Sequence, residues 1–130
     1  MNNNKWNGKE YDGNEKIIYE LINGNGKIKE YMYGELIFEG EYLNGEKNGK
    51  GKEYNRIGEL VFEGEYLNGK RNGKGKEYYD GKLIFEGEYL NEERNGNGKE
   101  YDYNGKLVFE GEYLNNKKWN GKGYDRNILI

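Results

Sequence analysis

The segment Phe-Glu-Gly-Glu-Tyr-Leu-Asn occurs four times without change, beginning at Phe38, Phe62, Phe85 and Phe109. Spacings of 24, 23 and 24 residues mean that one supersecondary unit is copied along the chain. A unit of this size cannot bury its own apolar face. It must stack on its neighbours, which predicts an extended array with a long surface rather than one core wrapped once.

Within a unit the spacing is that of a strand. In Leu83-Ile84-Phe85-Glu86-Gly87-Glu88-Tyr89-Leu90, the residues Leu83, Phe85, Gly87 and Tyr89 share one parity, and Ile84, Glu86, Glu88 and Leu90 share the other. The glycine recurs at Gly40, Gly64, Gly87 and Gly111, where a strand is normally weakened, so an aromatic ring from the adjacent strand is expected over it. A Gly- and Asn-rich stretch such as Asn68–Gly75 reads as a loop, followed by a short second strand such as Lys76-Glu77-Tyr78-Tyr79. Eleven of the twenty Asn residues precede Gly, a dipeptide suited to hairpin turns. Two-residue turns at one end, as at Asp80-Gly81, and longer glycine loops at the other predict an all-β antiparallel meander.

The expected architecture is therefore a single-layer, elongated and twisted sheet of about five hairpins, each advancing it by roughly 10 Å. Residues 1–130 form one repeat domain, divided into an irregular first unit 1–34 and units 35–58, 59–81, 82–105 and 106–130. In the first unit Tyr19 is expected where the others carry Phe. Trp6-Asn7-Gly8-Lys9 matches Trp119-Asn120-Gly121-Lys122, and the next aromatic would fall at 132. The array is expected to run past Ile130, with Ile128-Leu129-Ile130 starting a further strand that could pair at the sheet edge.

Composition narrows the chemistry. Ala, Ser, Thr, Gln, Pro, Cys and His are absent. The usual hydroxyl and thiol nucleophiles, an imidazole proton shuttle and Cys/His zinc ligation are thereby excluded, and no cofactor is expected. A net charge of −3 argues against generic attraction to nucleic acid. No apolar run approaches a membrane span and no leader-like segment opens the chain, so a cytoplasmic location is expected. High charge raises the alternative of disorder, which aromatics held in register over four copies oppose.

In Phe-Glu-Gly-Glu-Tyr-x-Asn-Gly-x-x-x-Gly-x-Gly, complete at Phe38–Gly51 and Phe62–Gly75, the sequence resembles the MORN repeat. The resemblance implies an antiparallel sheet of hairpins with an aromatic-lined groove, acting as a scaffold that dimerises or binds proteins or membranes. Charged Glu53, Glu77 and Glu100 depart from it, standing where the family favours an aromatic or aliphatic residue. That departure brings the chain closer to the bacterial YwqK-like variants, which would imply a toxin-neutralising role.

Three candidate surfaces follow. The paired carboxylates Glu39/Glu41, Glu63/Glu65, Glu86/Glu88 and Glu110/Glu112 recur identically, unlike a catalytic acid and nucleophile, and read as a solvated ladder interleaved with lysines. The Gly-Lys-Gly stretches lack the Ser or Thr and following helix of a phosphate-binding loop. Lys70, Arg71, Lys74, Lys76, Lys117 and Lys118 are expected along the loop end of the hairpins, a basic edge for an anionic membrane surface. Phe62, Tyr66, Tyr78, Phe85, Tyr89, Tyr101, Phe109 and Tyr113 form the aromatic stripe, which packs the sheet and is the candidate contact for a protein partner. Self-association as a homodimer or end to end through edge strands is the remaining partner expectation.

Overall fold

The computed structural model describes residues 5–11, 15–22 and 25–124, with side chains from Gly26 onward. They form one open antiparallel sheet of eleven strands in chain order. The strands are β1 (Lys5–Tyr11), β2 (Glu15–Ile22), β3 (Asn25–Met32), β4 (Glu35–Leu43), β5 (Glu46–Tyr54), β6 (Leu60–Leu67), β7 (Lys70–Tyr79), β8 (Lys82–Leu90), β9 (Glu93–Tyr101), β10 (Leu107–Leu114) and β11 (Lys117–Gly123). The predicted all-β meander is therefore what forms. The segment Ile128–Ile130, expected to start a further strand, lies outside the described residues.

The Gly/Asn-rich stretches are not loops. The tight turn is Asn68-Gly69, with φ of +51° and +85°, and the strand resumes at Lys70. Between the pairs Gly64/Gly75 and Tyr66/Arg71, β6 advances two residues while β7 advances four, so Arg71–Lys74 forms a bulge inside the strand. The bulge recurs on β5 and β9. At its centre Gly73 has φ +104°, and a Cβ there would lie 2.2 Å from the Glu65 Oε1 atom. That Glu65 oxygen instead accepts the Lys74 backbone N–H at 3.0 Å, pairing a donor the bulge removes from the ladder. The sequence suggested long loops at this end because Asn-Gly marks bulges and turns alike. The longer loops, at 55–59 and 102–106, lie at the other end, where Asn55 and Asp102 side chains accept backbone N–H bonds.

The core is one row of rings on one face. Phe38, Phe62, Phe85, Phe109, Tyr66, Tyr89 and Tyr113 form a single buried cluster. Phe38, Phe62 and Phe85 each meet a Tyr of their own strand and the Tyr of the next repeat edge-on, as in Phe62 with Tyr66 at 5.8 Å and Tyr89 at 5.2 Å. Such pairs contribute on the order of 1 kcal/mol each beyond area burial. Beneath them runs a glycine row in direct register from Gly40 through Gly51, Gly64, Gly75, Gly87, Gly98 and Gly111 to Gly121. A Cβ on Gly75 would sit 2.6 Å from Phe62 Cζ of the adjacent strand and 3.0 Å from Tyr89 Cε1. Gly64, by contrast, is crowded by Phe62 of its own strand and by the Gly75 backbone. One ring thus covers two glycines.

The first unit departs from its expected alignment. Tyr19 pairs Ile28, which pairs Gly40, so Tyr19 occupies the glycine row. Ile17, through Glu30, reaches the row of Phe38. The uninterrupted β2–β3 ladder lacks the bulge of later repeats, and this changes the alignment.

Candidate functional site

Alternation about the glycine row divides the repeat into two faces. The first carries Phe62, Tyr66, Phe85, Tyr89, Phe109 and Tyr113, which are at most 7% exposed. A single-layer sheet can bury rings this fully because each strand-two bulge brings a cation back over them. Arg71 Cζ stands 4.0 Å from the Phe62 centroid, and Arg94 Cζ stands 4.0 Å from that of Phe85. Lys47 Nζ lies 4.2 Å from the Phe38 centroid and Lys118 Nζ 4.9 Å from that of Phe109. These side chains lay their stems and charge on the rings and close the face.

Glu53, Glu77 and Glu100 sit on this same apolar face, because each lies two residues past the row glycine of its strand. Tyr66 Oη donates to Glu53, and Arg71 donates to Glu53 through Nε at 3.0 Å and Nη2 at 2.8 Å. Tyr89, Glu77 and Arg94 repeat the arrangement. At the last repeat Tyr113 donates to Glu100, with Lys118 Nζ 3.6 Å away. Burial by itself raises the Glu53 and Glu77 carboxyls, but hydrogen bonds and charge from Arg71, Arg94 and the tyrosines outweigh it and hold both below 4.5. Burial, then the bonded carboxylate, pushes Tyr66, Tyr89 and Tyr113 well above the ordinary phenol range.

Tyr78 and Tyr101 do not join the aromatic stripe. One residue beyond Glu77 and Glu100, they fall on the opposite face, where Tyr78 Oη donates to Glu63 at 2.7 Å and Tyr101 Oη donates to Glu86. Burial and then the paired glutamate push both phenols up to about 12.

The basic edge is also redistributed. Arg71 and Lys118 turn to the aromatic face, while Lys74 and Lys76 face the other side opposite Glu88 and Glu86. Strand alternation separates residues that would have stayed together on a loop. At the turn edge proper stand Glu46, Lys70, Glu93 and Lys117, which alternate in sign.

The second face is the open one. Across it, strand by strand, Lys29, Glu39, Lys52, Glu63, Lys76, Glu86, Lys99, Glu110 and Lys122 lie in direct register. A parallel row holds Lys27/Glu41, Lys50/Glu65 and Lys74/Glu88. Between the two rows runs a groove of about 1190 Å³, floored by glycine backbone and extending from Lys27 in β3 to Gly111 in β10. Its walls alternate in sign from strand to strand, with a Lys pair on β3, β5 and β7 and a Glu pair on β4, β6 and β8, and its floor is glycine backbone from β4 to β10. The sequence identified the ladder but not the groove between its rows. Among the described residues no cluster of His, Cys, Asp or Glu could hold a metal ion, and no helix is long and apolar enough to cross a membrane.

The family model for the MORN repeat matches residues 38–58, 62–82 and 85–106, which spans β4 to the glycine loop after β9. Comparison with curated proteins finds no match.

Proposed function

Because the chain belongs to the MORN-repeat family, we propose that it is a non-catalytic scaffold that binds an extended protein segment in the groove of its charged face. The groove itself carries this reading: it crosses eight strands, β3 to β10, and is walled by two rows of Lys and Glu. The aromatic face supports the groove rather than contacting the partner, since its rings are already covered by Arg71, Arg94, Lys47 and Lys118. Registered pairs of opposite charge lose little when water leaves them only if the incoming chain replaces those contacts, so selectivity comes from matching charges along the segment. The glycine floor lets a backbone approach closely.

Affinity capture from the native host with the intact chain, followed by titration of the recovered protein, tests this. Inverting Lys52, Lys76 and Glu63 together is expected to abolish capture with the far-ultraviolet dichroism unchanged, and rising salt is expected to weaken it. Capture that persists with those charges inverted would overturn the groove as the binding surface.

A further inference from the structure

The two signs of charge on the groove wall are not equally available. Glu39, Glu63 and Glu86 accept the hydroxyls of Tyr54, Tyr78 and Tyr101. Glu41, Glu65 and Glu88 bend onto the bulges, where their Oε1 atoms accept the backbone N–H groups of Lys50, Lys74 and Asn97 at 2.9–3.0 Å. From β4 to β8, every wall glutamate is thus engaged within the sheet. The lysines differ. Among the described residues no carboxylate lies within 4.0 Å of the Nζ atoms of Lys50, Lys52, Lys74 or Lys76, and all four residues are exposed. Their ammonium groups can take up a carboxylate without breaking a contact in the sheet, whereas a cation arriving at the glutamates competes with bonds already made.

The lysine bands also have a fixed spacing. They occupy alternate strands, β3, β5 and β7, and Lys99 continues them on β9 beside Asn97. Two strand spacings set successive bands about 9.6 Å apart. A segment running along the groove must return a carboxylate to the same side at that interval. Over the glutamate bands between, it must carry uncharged groups, because a like charge there is repelled. A β-strand repeats its face at about 6.7 Å, out of step with the bands. An α-helix returns after seven residues, about 10.5 Å, and slips by roughly 3 Å across the four bands. A polyproline II chain returns after three residues, about 9.3 Å, and stays within roughly 1 Å of register across all four.

We infer that the groove takes an acidic protein segment in the polyproline II conformation, with Asp or Glu at every third position. One carboxylate sits between Lys50 and Lys52, the next between Lys74 and Lys76, and about ten residues span the four bands. The assignment rests on the groove being the binding surface and adds the sign, the conformation and the period of what it binds.

Fluorescence anisotropy at low salt, with the full chain and labelled synthetic peptides, is the test. One peptide repeats Glu-Pro-Pro four times; the other has the same composition with its glutamates contiguous. The period-three peptide is expected to bind roughly tenfold or more tightly than the other. Lys52→Gln with Lys76→Gln is expected to weaken it by a similar factor with far-ultraviolet dichroism unchanged. Glu63→Gln, which leaves Tyr78 an acceptor, is expected to leave binding unchanged or tighter. Equal affinity for the two peptides would overturn the inference, as would no binding of the period-three peptide or its loss in Glu63→Gln. Lysine-dependent sedimentation with phosphatidylserine vesicles, without peptide binding, would overturn it in favour of a lipid surface. The groove reading fails separately, by capture of a host protein that persists when Lys52, Lys76 and Glu63 are inverted. Capture that those inversions abolish, with no preference for the period-three peptide, would leave the groove standing and overturn only the assignment of its occupant.

Discussion

Glu92 and Arg71 exchange hydrogen bonds across two repeats: the Arg71 N–H donates to Glu92 Oε2 at 2.8 Å, and the Glu92 N–H donates to the Arg71 carbonyl at 2.9 Å. Glu92 is held at φ +79° in its turn, where the preceding repeat has Gly69 at φ +85°. A side chain in that conformation carries strain of about 1 kcal/mol, and the carboxylate contact offsets it. Asn116 does the same to Arg94, through its Oδ1 at 2.8 Å. The turn of each repeat thus fastens onto the bulge of the one before.

The offset can be measured at position 92. Glu92→Ala keeps the strain and loses the side-chain acceptor, so it is expected to destabilise by about 1–2 kcal/mol. Glu92→Gly loses the acceptor but also the strain and is expected to fall within about 0.5 kcal/mol of wild type. Chemical denaturation of both variants decides it; equal losses would remove the strain argument.

Gly75→Ala introduces a Cβ where Phe62 Cζ and Cε1 lie 2.6 and 2.7 Å away. The ring is pinned by Tyr66, Tyr89 and Arg71 and has little room to move. A loss of about 1–3 kcal/mol is expected, with a lower thermal midpoint. Gly75 also lies in register between Gly64 and Gly87, so disturbance should reach both neighbouring ladders in hydrogen exchange.

Removing Arg71 tests the cover of the aromatic face. Arg71→Met retains a stem over Phe62 but leaves Glu53 with only Tyr66 among its strongest partners. Partial exposure of the pair moderates the cost, and about 1–2 kcal/mol is expected. Arg71→Met combined with Glu53→Gln should recover part of it, which a double-mutant cycle would read as coupling.

Stability should fall at both extremes of pH. Glu53 and Glu77 are held below 4.5 in the fold, so their contribution is complete above pH 4.5 and is lost as pH falls through their depressed folded values. Tyr54, Tyr78 and Tyr101 are pushed up to about 12 from 10, so their contribution is complete below pH 10 and is lost between about pH 10 and 12. Thermal melts against pH, with phenolate absorbance followed on the alkaline side, check both limbs. Titration of Tyr54, Tyr78 and Tyr101 at 10 in the folded protein would contradict the half-buried Tyr–Glu pairs.

Much of the fold is legible in the repeated segment alone. Phe85, Gly87 and Tyr89 share a parity, and their recurrence in four copies implies one strand face over a neighbouring hairpin. The two-residue turn at Asp80-Gly81 is equally local, since both of its residues have positive φ. Less legible was Asn68–Gly75, which reads as a loop, whereas the chain turns tightly at Asn68-Gly69 and then forms a bulge inside a strand. That one difference moved Arg71 onto the rings, sent Lys74 and Lys76 to the other face, and left Tyr78 and Tyr101 away from the stripe.

The sequence by itself determined a row of copied hairpins, the face on which Phe, Gly and Tyr gather, and the absence of the usual nucleophilic side chains. These follow from composition and from a period of two, which are properties of neighbouring residues. Only the tertiary structure decided that Glu53 and Glu77 stand among the rings, that arginine closes the aromatic face, and that the open groove is the charged one. Those outcomes depend on cross-strand register. A two-residue bulge sets that register through backbone pairing to strands some ten to twenty residues away, and no local pattern carries that information.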